Sequence, residues 1–296
     1  MLMYTRSRQR LVVPFLLPAL LVYTLFGFIP LLLTVGSSFT NWSGASLHRP
    51  FYGLRNYVLI FMDPQFLNAL RNTGVFALAG GVLMFLPALF VSWALTQKIA
   101  LRGLYRYVII APLMLSVVVV SLLWKLLYNP VFGPINNLLR LIGLSSWALP
   151  WLGDTRTALL AIVVATVWQQ QGMWILLLSA GIERIPEEIM EAARVDGAGE
   201  WRTFRSVTFP LLWGVFRLLI ILWIIQALQV FAQVYVMVPF GGVGGSADVV
   251  TTLLYQRAFS SSQFGIACAM ATFLLFLILA LSVLTNRFTR RDRLEF

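Results

Sequence analysis

The sequence predicts an all-α polytopic membrane protein with six transmembrane helices. Three observations carry that reading. Of 296 residues, 59% are hydrophobic and 11% charged, with a mean hydropathy of +0.84, and a soluble domain of this length needs far more polar surface. Apolar windows near 20 residues recur at about 11–35, 73–96, 104–128, 157–181, 211–238 and 264–285, each long enough to cross a bilayer as a helix. The basic residues are also divided unequally between the two sets of connecting loops.

Taken in order, residues 1–10 carry Arg6, Arg8 and Arg10 ahead of the first window. That window is too long for a signal-peptide core and lacks an A-x-A-like exit, so it reads as a retained first span. The connections 36–72 and 129–156 carry turn punctuation at Asn41-Trp42-Ser43-Gly44, Asp63-Pro64 and Phe132-Gly133-Pro134, and 239–263 opens with Pro239-Phe240-Gly241-Gly242. Six spans put both termini on one side. That side holds fourteen basic residues, in the N-terminus, the 97–106 and 182–210 loops and the tail, against six on the other. The positive-inside rule makes both termini cytoplasmic. The expected organisation is a cytoplasmic N-terminus at 1–10, a six-helix domain over 11–285 and a basic cytoplasmic tail at 286–296.

Several function classes find no support. The basic residues, twenty of twenty-two of them Arg, are scattered between apolar blocks and form no stripe for nucleic acid. Cys268 stands alone inside an apolar run, and His48 is the only histidine, which leaves no disulfide framework, histidine metal site or catalytic triad. No G-x-x-x-x-G-K-[ST] occurs, so the chain cradles no ATP phosphates by a P-loop. No carboxylate lies within a window, which weakens proton- or sodium-coupled transport.

The carboxylates gather elsewhere. Six of eleven fall between 183 and 200: Glu183, Glu187, Glu188, Glu191, Asp196 and Glu200. Within the loop 183–210 the spacing predicts a helix with Pro186 at its first position and Glu187 and Glu188 at its positive end. Ile185, Ile189, Ala192 and Ala193 would form its apolar face. Asp196-Gly197 fits a helix stop with glycine in the left-handed region. A second amphipathic segment, with Trp201, Phe204 and Val207 on one side, would end at Phe209-Pro210. A cluster of carboxylates is a poor match for anionic lipid and a better one for a basic protein surface.

Inside the windows the polar side chains are amides. Thr166, Gln169, Gln170 and Met173 share one face of the fourth span by their i, i+3, i+4, i+7 spacing, and Gln226, Gln229 and Gln233 share one on the fifth. Unpaired amides are costly in hydrocarbon, so both faces should meet protein or a wet cavity. Two readings stand side by side: hydrogen bonds between helices, or a sugar-sized polar pocket flanked by Trp168, Trp174 and Trp223.

Glu191-Ala192-Ala193, then Gly197, then Val207-Thr208-Phe209-Pro210 resembles the EAA signature of bacterial ABC sugar-importer permeases, with Val207 in place of Ile and Phe209 in place of Leu. Ser38-Phe39-Thr40-Asn41-Trp42, Gly133-Pro134-Ile135-Asn136-Asn137-Leu138 and Phe264-Gly265-Ile266-Ala267-Cys268-Ala269 extend the resemblance over nearly the whole chain, toward the first permease subunit of the carbohydrate branch. The resemblance implies a type I importer fold in the bacterial inner membrane. It implies a second permease subunit, two cytoplasmic ABC ATPase subunits that bind the ATP and Mg, and an extracytoplasmic solute-binding protein. No cofactor would be bound by this chain, which would be a transporter subunit and not an enzyme. Glu191, Ala192, Ala193, Asp196, Gly197 and Pro210 would then couple to the ATPase, and Thr166, Gln169, Gln170, Met173, Trp223, Gln226 and Gln229 would border the solute path. The alternative from another class is a secondary carrier or channel working without an ATPase.

Overall fold

The computed structural model describes residues 15–46, 48–97 and 101–289. Residues 1–14, 47, 98–100 and 290–296 lie outside the described residues, and with them the expected N-terminal segment and most of the basic tail. The described residues are helical, with a single isolated bridge between Thr40 and Phe51. The helices are α1 (Phe15–Ser37), α2 (Arg55–Met62), α3 (Pro64–Thr96), α4 (Arg102–Met114, its last turn 3-10), α5 (Val117–Leu127), α6 (Pro134–Leu141) and α7 (Ala158–Ile182). They continue with α8 (Glu187–Val195), α9 (Glu200–Leu211), α10 (Trp213–Leu228), α11 (Ala232–Met237), α12 (Val250–Tyr255) and α13 (Phe264–Phe288).

Among the described residues all six apolar windows form helix, but two are not the single rods that the sequence predicts. Helices α1, α3, α7 and α13 are each long and apolar enough to cross a membrane, whereas α4–α5 bends by 99° and α9–α10 by 66°. In the third window the chain turns extended at Leu115 (ψ 144°) and Ser116 (ψ 147°), and the Ser116 hydroxyl accepts the Val119 N–H to start α5 afresh. In the fifth, the helix runs through Phe209-Pro210 instead of stopping there. A π-turn over Phe204–Thr208 gives the Phe209 N–H the Phe204 carbonyl just before the proline that lacks a donor, and the bend falls at Leu212. The same window ends early: Gln229 (ψ 6°) and Phe231 (φ −135°) leave helical geometry, and Ala232–Met237 is a separate helix.

The chain divides into two compact units. The first joins the described part of Met1–Asp63 to Leu254–Phe273. Its α1 is apolar and exposed throughout its most hydrophobic window. Here two motif segments far apart in sequence meet: the Gly265 N–H donates to the Trp42 carbonyl, and the Phe264 ring lies 5.1 Å from that of Trp42. Asn56, fully buried, donates to the carbonyls of Ser38 and Thr40. Arg257 pairs with Asp63 at 2.6 Å.

The second unit comprises Pro64–Leu253 and the described part of Leu274–Phe296. Its central element is α7, whose buried residues include Ile162, Val163, Thr166, Trp174 and Leu178. Helix α7 packs along α3 and α4. Gly172 allows the approach of α4, because a Cβ there would stand 2.4 Å from the Ile109 carbonyl oxygen. Trp174 meets Phe85 and Trp223 edge-on at 5.4 and 6.3 Å. In the third loop, Asn72 on α3 donates to the carbonyls of Gly245, Ser246 and Asp248 and holds the glycine-rich segment down.

The α4–α7 contact makes a paired prediction. Gly172→Ala should destabilise the purified protein by ~1–3 kcal/mol through overpacking against backbone. Gly74→Ala, in mid-α3 with nothing within 4 Å of the added Cβ, should stabilise it by up to ~1 kcal/mol. Thermal unfolding in detergent reads both, and equal midpoints for the two variants would contradict the packing.

Candidate functional site

The second unit contains a cavity of about 410 Å³, within the range of small-molecule sites. Five helices and one turn build it. Helix α10 presents Trp223 and Gln226 and ends on Gln229, and the irregular turn after it adds Val230 and Phe231. Helix α11 adds Ala232 and Gln233, α7 adds Thr166 and Gln170, and α5 and α3 add Val117 and Phe76. The early end of α10 therefore decides the site. Gln226, Gln229 and Gln233 do not share one continuous helical face, yet the turn folds all three onto the same cavity.

Trp223 is fixed in place. Its indole N–H donates to the Ala77 carbonyl at 2.8 Å, its ring lies against Gly80 and Gly81, and it stacks with Phe76 at 6.3 Å and 12°. Around this aromatic floor the wall is made of amides. The Thr166 hydroxyl is engaged by the Ile162 carbonyl at 2.9 Å. The side-chain oxygens of Gln170 and Gln226, like that of Gln169, are buried and have no hydrogen-bond partner among the described residues. No residue lining the cavity is ionisable. The surface therefore suits an uncharged molecule with hydroxyl donors and C–H faces that lie on aromatic rings.

Not every amide faces it. Gln169 and Met173, expected on the same face as Thr166 and Gln170, do not line the cavity. Gln169 is buried and donates to the Leu115 carbonyl at 3.0 Å, at the break between α4 and α5. Gln171 reaches α3, donating to the Met84 carbonyl at 3.1 Å, next to Leu83, whose carbonyl Pro87 leaves without its helical donor. The two readings of the glutamines thus apply to different residues: Gln169 and Gln171 bond between helices, and Gln170 faces the cavity. Of the three flanking tryptophans only Trp223 is at the cavity. Trp174 is buried in the core, and Trp168 pairs edge-on with Trp124 at 5.7 Å. Phe76, Val117 and Phe231 were not found from sequence, because single apolar residues in apolar windows carry no distinguishing signal.

The carboxylate-rich loop forms the expected helix, turn and helix, with some differences in detail. Pro186 is the N-cap of α8, with extended ψ of 135°, and not its first residue. Glu187 and Glu188 occupy the first turn. The stop is a Schellman motif: Gly197 takes φ +74°, its N–H donates to the Arg194 carbonyl, and the Ala198 N–H donates to the Ala193 carbonyl. Ala193 is buried, whereas Ala192 is exposed together with Glu191, Val195 and Asp196. The apolar face thus narrows to Ile185, Ile189, Met190 and Ala193. On α9 Phe204 is buried against Trp93 at 5.8 Å, and Trp201 stacks on Phe204 while remaining 67% exposed. Pro210 lies inside α9, after its π-turn. Glu183 forms ion pairs with both Arg102 and Arg106, while Glu187, Glu188, Glu191, Asp196 and Glu200 form none among the described residues.

Comparison with known proteins places this geometry. Residues 88–293 match the family described as "Binding-protein-dependent transport system inner membrane component". The chain is 35% identical over 291 residues to the "Probable ABC transporter permease protein YurN" of Bacillus subtilis, covering 97% of this chain and 99% of that one. It is 33% identical to the "Diacetylchitobiose uptake system permease protein NgcF" of Streptomyces coelicolor, over 96% of this chain and 84% of the relative. Among solved structures, a chain of a bacterial ABC transporter that imports the acidic polysaccharide alginate superposes with a TM-score of 0.85 at 22% identity, covering 98% of this chain and 99% of that one. A chain from a second alginate transporter structure, in complex with its alginate pentasaccharide-bound periplasmic protein, gives 0.81 at 21% identity, covering 96% of each.

The two classes of glutamine separate in a stability measurement. Gln169→Leu takes the donor from a buried carbonyl at a helix break and should cost ~1–3 kcal/mol. Gln170→Leu removes an amide whose oxygen has no protein partner and should leave the unfolding midpoint near wild type. Equal losses would show that both amides serve packing.

Proposed function

This chain belongs to the binding-protein-dependent transport system inner membrane component family and is a permease subunit of an ATP-binding-cassette importer, and from that premise we propose how it carries its solute. The solute is a carbohydrate. The observation that carries this reading is the cavity, with amides on its wall, the Trp223–Phe76 pair on its floor and no ionisable lining residue. Relatives support it, among them permeases of systems for diacetylchitobiose, for starch degradation products and for trehalose and maltose. Thr166, Gln170, Trp223, Gln226 and Gln229 border the path. Family membership favours this reading over a secondary carrier or channel.

The chain forms half of the translocation path and pairs with a second permease subunit. A solute-binding protein delivers the sugar from outside, and two ATPase subunits bind the ATP and Mg that drive the cycle. The EAA loop is the contact with the ATPase. The Schellman turn at Gly197 makes α8 and α9 one compact element, and the exposed Glu191, Ala192, Val195, Asp196 and Trp201 supply an acidic and partly apolar surface to it. Both termini and this loop are cytoplasmic.

Two tests separate these roles. In proteoliposomes holding the whole importer, Gln170→Leu and Gln226→Leu should lower sugar uptake about 5- to 30-fold, the loss of one or two ligand hydrogen bonds, while ATPase association is unchanged. Gly197→Asp, which places a Cβ at φ +74°, and Glu191→Lys should leave membrane abundance unchanged but weaken ATPase association and ATP-driven uptake. Full uptake by both glutamine variants would overturn the path, and full uptake by both loop variants would overturn the coupling role.

Orientation is tested with single cysteines in a Cys268→Ser background. Ser146 and Ser206 are both exposed, so reactivity reports the side of the membrane. In intact cells an impermeant thiol reagent should label Ser146→Cys and spare Ser206→Cys, and labelling of the latter would reverse the assigned topology.

A further inference from the structure

We infer that Arg102, Glu183 and Arg106 form a clamp that makes α4 follow the EAA loop, so that the loop drives the broken third span directly as well as the spans to which it is covalently joined. The inference rests on the coupling role proposed above for that loop.

Glu183 is the C-cap of α7, four residues before α8 begins. It is the one carboxylate of the acidic segment that is paired among the described residues, and both its partners are on α4, one turn apart. The pairing is the first of three attachments that run in register along two antiparallel helices. Arg102 and Arg106 meet residue 183, the Ile109 carbonyl is approached by Gly172, and the Leu115 carbonyl accepts from Gln169. The middle attachment is backbone against backbone and the last satisfies a carbonyl at a helix break, so neither slides without breaking contact. From Arg102 to Leu115, α4 is therefore held to α7 as one body.

Beyond Leu115 the attachment changes. Helix α5 departs at 99° and meets α7 through the Trp124–Trp168 ring contact and the Tyr128 hydroxyl on the Ala161 carbonyl. Its first residue, Val117, is at the cavity. A displacement at Glu183 carried along α4 thus arrives at the Leu115–Ser116 break, two residues from the cavity wall. Glu183 acts here as a positioning residue: it touches neither the cavity nor the exposed face of α8.

The experiment uses the complete importer reconstituted with its ATPase and binding protein. Glu183→Gln preserves shape and removes the charge, and because the side chain is 44% exposed the protein should reach the membrane at wild-type abundance. Sugar transported per ATP hydrolysed should fall about fivefold, while ATP hydrolysis and ATPase association persist. The triple exchange Glu183→Arg, Arg102→Glu, Arg106→Glu restores the pairing with reversed signs and should recover the ratio. A second readout is Val117→Cys in the Cys268→Ser background. Its reactivity with a small thiol reagent should differ between nucleotide-free and ATP-trapped wild type, and that difference should shrink with Glu183→Gln. A wild-type transport ratio and an undiminished Val117→Cys difference in Glu183→Gln would overturn the clamp, and so would failure of the triple exchange to recover a lowered ratio. A wild-type complex that binds no ATPase, or shows no nucleotide dependence at Val117→Cys, would instead overturn the coupling reading on which the clamp depends.

Discussion

In hydrocarbon every backbone carbonyl and amide needs a partner within the protein, and the interaction on which this molecule most depends is the Gln169 side chain donating to the carbonyl of Leu115. A span that bends by 99° exposes backbone groups that a straight helix would satisfy internally. The Ser116 hydroxyl starts the second half and Gln169 serves the end of the first. Gln171 ties α7 to α3 at the Met84 carbonyl. With those groups satisfied, irregular backbone is tolerated at the break, and the bend brings Val117 to the cavity. Polar side chains on one helix thus permit broken geometry in its neighbours, and the broken geometry shapes the site.

The cavity depends on a second interruption. An α10 extending to residue 238 would spread Gln226, Gln229 and Gln233 along one rod. Its end at Leu228 and the turn before α11 gather them opposite Thr166 and Gln170. Trp223, held by the Ala77 carbonyl and stacked on Phe76, gives these amides a rigid apolar floor. A rigid aromatic surface beside amide groups is a general way to hold a sugar ring, because the ring presents C–H faces and hydroxyl edges together.

The acidic loop divides its labour between inside and outside. Ala193 and Phe204 are buried and Gly197 closes the turn, which makes α8 and α9 one element. Glu191, Asp196 and Val195 remain exposed. Glu183 faces the other way, toward Arg102 and Arg106. A single run of carboxylates thus serves an internal joint at one end and an external surface along the rest.

The sequence by itself determined the helical class, the six apolar windows and the helix–glycine–helix form of the loop, because hydropathy over 20 residues and the left-handed preference of glycine are local properties. It also restricted the polar chemistry of the spans to amides. Which amide does what was decided by tertiary structure: Gln169, Gln170 and Gln171 are consecutive and alike, and only the carbonyls of Leu115 and Met84, on other helices, distinguish them. The bend at Leu212 beyond Pro210, the early end of α10 and the pairing of Glu183 with Arg102 and Arg106 were likewise not legible. Each depends on which backbone groups and charges lie opposite across a helix interface, and periodicity along one chain segment contains no information about the segment that packs against it.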